Sequence, residues 1–410
     1  MSNTNTMTFN QAATVLNAIQ AQVTGKEGPA LMSGEDFATV ARTTMSLGYE
    51  KVYNALSTVL GKTIFSTRPY NRKFKGIELT DTQFKLRTRK IQSADNTFED
   101  NDTTKPPVWY NGLNPGDGQS VDQQVIKKNK IVETNFLGMN TYQDHYTIFD
   151  EQLDVAFTNP EEFSQFISLI TMNINNRFEQ AREDFARYTV LNFMAGLNAM
   201  KNSVPTDAPE EHAINLLSEY NTVAGTSFTV EEIYKPDNVV GFMKYSFARI
   251  KQICAEMTER SLKYQFPAPG DDTFTRHTPY EDQRIYILAQ EEFSMEASVL
   301  SSVFNDKYLK KTFTESVSFW QNIKRPAYMN FSPQINYPTL HTADPQQLTH
   351  VFGVIFDKDA CGYSVVRSTM KPAPYNARGD YRNFFLKDYH KNFNDFTEKA
   401  VLLYLEDPEP

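Results

Sequence analysis

The chain has 410 residues, with 41 Lys and Arg against 50 Asp and Glu, and with 30 Phe, 21 Tyr and 2 Trp. This aromatic content and 40% hydrophobic residues supply enough apolar surface for a folded core, which excludes a disordered chain. Glycine is scarce at 17 residues, which excludes a collagen-like composition. At about 150 residues per domain, the length predicts two or three compact units.

Charge is distributed unevenly along the chain. Residues 62–90 carry nine basic and two acidic side chains, a net +7, whereas residues 91–122 carry six acids and one Lys, a net −5. From residue 134 onward the net charge is −12. A nucleic-acid-binding domain is usually basic over a whole face, so one short basic segment does not predict such a domain.

The sequence carries no sign of membrane insertion or export. No apolar run approaches the roughly 18 residues that cross a bilayer. The first residues lack both the basic and the apolar region of a secretion signal. We therefore expect a soluble protein that is not directed to secretion.

Two helices are predicted near the N-terminus. Apolar residues recur at helical spacing over 9–23, which predicts the first. Ser33 and Asp36 resemble a capping box, and apolar positions at the same spacing follow over 37–59. We expect Gly48 to weaken the middle of this second helix.

A pair of strands is predicted next. Residues 84–91 alternate strictly, which places Lys85, Arg87 and Arg89 on one face of a strand. A second strand-like run covers 125–132, and the segment between the two is rich in turn residues. Such a two-stranded ribbon is marginal alone, so we expect it to lie on another surface, most simply that of another subunit.

The strongest helix signal begins at Asn159-Pro160. A cap residue, Pro at the first helical position and acids in the first turn all favour a helix start. Apolar residues then recur every three or four positions to about Met194, which predicts a rod of about 50 Å. A coiled coil is the competing interpretation, which the strand-rich flanking sequence disfavours.

Strands and helices alternate in the second half of the chain. A helix is predicted after Pro236, a buried strand at 284–289 and a short helix at 291–305. A further central strand is predicted at 351–356, and a strand at 397–405 closes the chain. This order predicts a compact α/β or α+β unit after the long helix.

Signatures of catalysis are incomplete wherever they occur. Gly61-Lys62-Thr63 lacks the first glycine and the preceding strand of a phosphate-binding loop. Ser368 and Lys371 have the spacing of penicillin-binding acyl enzymes, but the companion motifs are missing. The six His include no pair three or four residues apart, and we expect Cys254 and Cys361 to be buried apolar residues. We predict no enzyme, no cofactor and no metal.

The order of elements and five short sequences resemble one family. The sequences are Thr67-Arg68-Pro69-Tyr70-Asn71, Asp357-Lys358-Asp359-Ala360, Pro374-Tyr375-Asn376-Ala377-Arg378, Asn392-Phe393-Asn394 and Lys399-Ala400-Val401. The order is a helical arm, a long charged extension, a very long helix, a compact mixed unit and a C-terminal strand. Together they look like the major capsid proteins of tailed bacteriophages, the Hong Kong 97-type fold, in its podophage-like members.

This resemblance implies an α+β fold with an N-terminal arm, an extended E-loop hairpin, a long spine helix in a peripheral domain and a compact mixed axial domain. The implied division is the N-terminal arm at 1–61, the E-loop and first peripheral strands at 62–150, the peripheral domain with the spine helix at 151–235, the axial domain at 236–380 and a return strand to the peripheral domain at 381–410.

The resemblance also implies a function. The chain would self-assemble into hexamers and pentamers of an icosahedral head around double-stranded DNA, after synthesis in the bacterial host cytoplasm, and would reside in the virion. Its implied partners are further copies of itself, a separate scaffolding protein, a portal protein and packaged DNA held without sequence-specific contact, and no membrane. An encapsulin-like compartment shell protein, or another virion structural protein, is the alternative.

The basic segment is the expected contact between subunits. A basic ribbon that meets an acidic neighbour makes a head-to-tail contact, which can close into rings. Because one exposed ion pair contributes only about 0–1 kcal/mol, we expect the whole array to matter rather than one residue. The expected contact residues are Arg68, Arg72, Lys73, Lys75, Lys85, Arg87, Arg89 and Lys90.

Overall fold

The computed structural model describes residues 9–25, 33–56, 72–79, 87–93, 131–201, 212–266, 275–300, 314–337, 339 and 341–408. These residues divide into two compact units. The first unit falls within Met1–Leu86, Gly138–Thr189 and Gly362–Asn392. The second falls within Arg87–Leu137, Val190–Cys361 and Phe393–Pro410.

Helices and strands are both abundant. The helices are Phe9–Thr24, Gly34–Ser46, Asp150–Ala156, Pro160–Met200, Leu216–Ala224, Val230–Ile233, Pro236–Thr258 and Ala289–Leu300, with residues 49–56 also helical and a 3₁₀ turn at Lys75–Ile77. The strands are β1 Arg87–Ser93, β2 Ile131–Leu137, β3 Asn140–Phe149, β4 Ala213–Asn215, β5 Gln283–Leu288, β6 Thr314–Val317, β7 Met329–Phe331, β8 Gln334–Ile335, β9 His341–Thr342, β10 Gln346–Leu348, β11 His350–Asp357, β12 Cys361–Pro372, β13 Tyr381–Asn394 and β14 Ala400–Leu405.

The N-terminal helices confirm the periodicity of the sequence. Helix Phe9–Thr24 buries the predicted apolar face, and Ser33 and Asp36 form the predicted capping box. The second predicted helix is interrupted, because Gly48 adopts a left-handed conformation with φ of +109°. The helix therefore ends at Ser46 and helical structure resumes at residue 49.

The spine helix, Pro160–Met200, is a single helix of 41 residues, about 60 Å at the usual rise. Its start is capped as predicted, since the Asn159 side-chain oxygen accepts a hydrogen bond from the Glu162 amide at 2.8 Å. It is longer than the sequence indicated. Phe163 and Ile167 lie in the apolar core of the first unit, so this helix packs within its own chain and the coiled-coil alternative is not needed.

The first unit contains a three-stranded sheet of order β12-β13-β3. Strands β13 and β3 pair antiparallel from Tyr381 opposite Phe149 to His390 opposite Asn140. Along β13 the even-numbered residues from 382 to 390 are buried and the odd ones are partly exposed. The sheet therefore presents one continuous face to the core, in keeping with the period of two.

The second unit is built around a five-stranded sheet of order β4-β14-β11-β5-β6. The predicted strands β5, β11 and β14 are confirmed, and β11 lies between the other two. The helix after Pro236 runs to Thr258 and packs its apolar face into the core of this unit. Cys254 and Cys361 are free and buried, as expected.

The predicted return strand at 381–410 needs correction. It is two strands, of which β13 pairs with β3 and β14 pairs with β11. The burial pattern gives the reason: all six residues of β14 are buried, as in a central strand covered on both faces, whereas those of β13 alternate. The unit limits also depart from the predicted domains, since residues 213–235 fall in the second unit and residues 362–380 in the first.

The buried His212 is expected to make the stability of the second unit depend on pH. Its ring is buried and stacks on Phe266 with centroids 3.7 Å apart, and burial lowers the pKa of the imidazole to about 4. Between about pH 6.5 and 4 the unfolded chain binds a proton that the folded chain does not. We expect the free energy of unfolding to fall by up to about 3 kcal/mol over that range.

The measurement is denaturant unfolding of the unassembled chain at pH 7 and pH 4. His212→Phe is expected to remove most of this pH dependence. His341→Phe, at an exposed position, is the matched control and is expected to leave it unchanged. An equal pH dependence in wild type and His212→Phe would contradict the assignment.

Candidate functional site

Strands β1 and β2 form the described part of the predicted E-loop. They pair antiparallel from Arg87 opposite Leu137 to Ser93 opposite Ile131. The predicted second strand at 125–132 overlaps β2 only at its end, because residues 94–130 lie outside the described part of the chain. Residues directly opposite in such a pair point to the same face, so this hairpin root has two distinct faces.

One face of the hairpin root is exposed. Ile91, Ile131 and Leu137 lie on it and are 55%, 69% and 76% exposed. Arg89 Nη2 and Glu133 Oε2 on the same face are 2.8 Å apart. Because the Arg89 side chain is 49% exposed, this ion pair contributes little to stability. The exposed face therefore combines large apolar side chains with a weakly held charge pair.

The opposite face is covered by the C-terminal part of the second unit. Phe136 is buried and its ring centroid lies 5.2 Å from that of Phe393. Lys90 Nζ lies 2.7 Å from Asp395 Oδ2 and also forms an ion pair with Glu398. Among the described residues, these contacts attach the hairpin root to its own chain through this face.

Arg72, at the start of the basic segment, lies in the first unit with its side chain 2% exposed. Its Nε is 2.6 Å from Glu179 Oε2 and its Nη2 is 2.7 Å from Glu78 Oε2. It also donates a hydrogen bond to the Tyr363 hydroxyl. Nearby, the Lys73 amide donates to Glu183 at 3.0 Å. The segment is thus bound to the spine helix through two Glu side chains.

A model of the family described as Phi29-like phage major capsid protein matches residues 16–404. The chain belongs to that family. It is therefore a major capsid protein, the self-assembling subunit of the icosahedral phage head that encloses the DNA. This confirms the resemblance to tailed-phage capsid proteins and favours the phage head over an encapsulin-like compartment or another virion protein.

Two solved phage structures are similar to this Phi29-like capsid protein. A chain in the structure of the head fiber and inner core protein gp22 of native bacteriophage P68 is 10% identical, with 82% of this chain and 85% of that chain covered and a TM-score of 0.51. The capsid of Staphylococcus phage Andhra gives 10% identity, 83% and 84% coverage and a TM-score of 0.48. No curated protein matches the chain. The similarity to P68 supports the α+β capsid fold.

The structure separates the eight expected contact residues into groups. Three are exposed, namely Lys73, Lys75 and Arg89. Arg68, Lys85 and the side chain of Arg87 lie outside what the structure describes. For these six residues, subunit contact stays a prediction.

For Arg72 and Lys90 a contact with another subunit is disfavoured, because both have buried partners within the capsid subunit. If a buried charged side chain moves away from its partner, the opposite charge of that partner stays buried and uncompensated, which is strongly unfavourable. Arg72 would abandon Glu179 and Glu78, and Lys90 would abandon two acids. We therefore leave these two residues out of the contact between subunits that is proposed below.

The charge pattern of the sequence did not indicate the apolar side chains of the exposed face. Ile91 continues the alternation of Arg87 and Arg89, so the period of two could have placed it on their face. Ile131 and Leu137 could not have been placed in that way. Their face depends on the register between two strands that are far apart in sequence.

The described part of the chain includes the residue types that could bind a metal and the serine of the acyl-enzyme-like spacing. Within the described ranges, no three His, Cys, Asp or Glu side chains converge on a possible metal site. No helix in that part of the chain is long and apolar enough to cross a membrane. Ser368 lies in strand β12, where its hydroxyl bonds with Asp388 and with Arg182 at 3.3 Å. A capsid family implies a structural role.

Proposed function

We propose that this capsid protein assembles as hexamers and pentamers, and that the exposed face of the hairpin root contacts an adjacent copy. The main support for this contact is a set of three large apolar side chains on that face, each more than half exposed: Ile91, Ile131 and Leu137. A two-stranded ribbon is marginal alone, and apolar side chains gathered on one face favour an interface. A repeated head-to-tail contact of this kind closes into rings.

The basic residues add an electrostatic part to the proposed contact. Arg68, Lys73, Lys75, Lys85, Arg87 and Arg89 belong to a segment of net +7, and the chain from residue 134 onward carries −12. A neighbouring copy therefore offers an excess of acidic side chains to this segment. Such complementarity guides orientation and association rate more than affinity.

The remaining proposed partners rest on the resemblance to tailed-phage capsid proteins. We propose a separate scaffolding protein, a portal protein and packaged DNA held without sequence-specific contact, and synthesis in the bacterial host cytoplasm. We propose no catalytic activity and no membrane partner. The net charge of −9 supports weak binding to DNA, because few basic side chains are available to displace the counterions of the phosphates.

The proposed contact face is tested by the double variant Ile91→Asp and Ile131→Asp. Both side chains are exposed in the subunit, so we expect it to stay folded, with an unfolding free energy within about 1 kcal/mol of wild type. In the shell the two carboxylates would be buried without partners, so we expect no closed particles. Electron microscopy of particles from expressing cells measures the outcome.

Val223→Asp is the matched control for that variant. Val223 is 72% exposed and lies on helix Leu216–Ala224, outside the hairpin root. We expect this variant to form shells. Normal shells from the Ile91 and Ile131 double variant would show that the hairpin face is not the contact.

A further inference from the structure

Lys90 lies on the covered face of the hairpin root, on the same strand as residues of the exposed face. We propose that Lys90 is a positioning residue for assembly: it fixes the hairpin root to residues 395–398 of its own chain, so that the exposed face is presented in the orientation that a neighbouring copy binds. This inference rests on the proposed function, because it concerns how the same face is held before contact.

The Lys90 ammonium group has a complete set of partners. Its Nζ lies 2.7 Å from Asp395 Oδ2, pairs with Glu398 and donates to the backbone oxygen of Asp359 at 3.4 Å. A lysine ammonium group has three donors, and three acceptors from separate points of the chain surround this one. The position of Nζ is therefore defined in all directions.

The acids that receive Lys90 are themselves held in place. Asp395 Oδ1 accepts hydrogen bonds from the Thr397 amide at 2.9 Å and from its hydroxyl at 2.7 Å. Glu398 Oε1 also lies 3.3 Å from Arg276 Nη2. The side chains of Asp395 and Glu398 are only 4% and 7% exposed. The receiving site is thus built independently of the hairpin.

Charge and burial together explain why this contact can set an orientation. A surface lysine pairs loosely, because water competes for it and its side chain stays flexible. Here two nearly buried acids meet two bases whose side chains are each 19% exposed, and a shift of the hairpin would leave the buried carboxylates without Lys90. Such a cluster fixes the position of the hairpin root, because only one arrangement of the strands keeps its charges paired.

A second contact acts on the same face. Phe136 packs on Phe393, and the register places Lys90 opposite Thr134, two residues from Phe136. One polar and one apolar contact, made by neighbouring strands to residues 393–398, define both the position and the tilt of the hairpin root. A hairpin root held in this way is already ordered before the subunit meets a neighbouring copy, so its ordering adds no entropic cost to that association.

The test compares Lys90→Gln with Lys90→Arg and with Arg89→Gln on the exposed face. We expect Lys90→Gln to speed hydrogen exchange of the amides of β1 and β2 in the unassembled subunit at least tenfold. We also expect it to raise the lowest concentration that yields shells about tenfold. Lys90→Arg is expected to show exchange rates and an assembly concentration close to those of wild type, because the positive charge and its hydrogen-bond donors are kept. Arg89→Gln should leave the exchange rates unchanged.

Two outcomes would overturn the inference. One is wild-type exchange and wild-type assembly in Lys90→Gln. The other is faster exchange with unchanged assembly, which would leave Lys90 only a local structural role. If Lys90→Gln does not fold, the double variant Lys90→Gln and Asp395→Asn, in which Glu398 keeps Arg276 as its partner, is measured with the same expectations.

The inference and the proposed function fail in different ways. If the Ile91 and Ile131 double variant forms normal shells, the contact face itself is wrong, whatever the Lys90 variants do. If that double variant blocks assembly while Lys90→Gln assembles as wild type, the contact face stands and only the positioning role of Lys90 is lost.

Discussion

Replacement of Lys85, Arg87 and Arg89 together by Glu is expected to abolish shell formation while the subunit stays folded. The alternation of the sequence predicts that the three residues share one face of a strand, of which the structure describes the part from Arg87 onward. The substitution changes the net charge of residues 62–90 from +7 to +1. Attraction to an acidic neighbour then becomes repulsion. At about 1 kcal/mol for each reversed residue, each contact would weaken by roughly a hundredfold or more, and a ring repeats that contact.

The control replaces three exposed lysines elsewhere in the second unit by Glu, so that its total charge equals that of the ribbon variant. These lysines are Lys235, Lys244 and Lys324. Particles are counted by electron microscopy and folding is followed by circular dichroism. We expect shells from the control and none from the ribbon variant. Loss of shells from both variants would mean that overall charge decides assembly, and shells from both would mean that the ribbon carries no contact.

The second large effect is expected from Arg182→Met in the first unit. Arg182 Nε lies 2.8 Å from Asp388 Oδ2 and its Nη1 lies 2.9 Å from Glu179 Oε1, with both acids buried. Burial opposes ionisation of Asp388, but His390 and Arg182 outweigh it and hold the pKa of that carboxyl at about 2. Without the Arg182 guanidinium, the buried carboxylates of Asp388 and Glu179 each lose a positively charged partner. We therefore expect the unfolding free energy at pH 7 to fall by about 3–5 kcal/mol.

Arg177→Met is the matched control for Arg182→Met. Both arginines belong to the spine helix and pair with an Asp at 2.8 Å, but the Arg177 side chain is 62% exposed, so we expect a loss of at most about 1 kcal/mol. The measurement is urea unfolding of unassembled subunits. Similar losses in the two variants would contradict the account of the buried network.

The same network predicts how stability responds to acid. The Asp388 carboxyl has a lower pKa in the folded chain than in the unfolded chain, so its contribution is present above about pH 4 and is lost as the pH falls towards 2. In Arg182→Met the pKa of Asp388 rises. The difference in stability between the variant and wild type should therefore shrink over that acid range.

Local patterns were sufficient for single elements of this fold. The cap at Asn159, the period of the spine helix and the apolar run of β11 each follow from neighbouring residues, and the structure confirms them. The interruption at Gly48 is also local, since only the backbone freedom of glycine permits its positive φ. The sheet to which β14 belongs was not predictable from neighbouring residues, because the position of a strand depends on the distant parts of the chain that bury it.

The candidate site shows the same limit more sharply. Alternation places Lys90 on the other face from Arg87 and Arg89, but sequence alone treats all three as one basic run. The decisive partner, Asp395, lies 305 positions away and bears no local signal of the pairing. The net +7 of the segment therefore combines charges that have buried partners within the subunit, such as Lys90, with charges on exposed side chains, such as Lys73 and Lys75.

The central claim is that this capsid protein meets a neighbouring copy through the exposed face of its hairpin root. An electron cryomicroscopy map of the assembled shell, at a resolution that shows side chains, tests it most directly. We expect a closed icosahedral shell of pentamers and hexamers in which Ile91, Ile131 and Leu137 are buried against an adjacent copy. A shell in which these three side chains face solvent would contradict the claim.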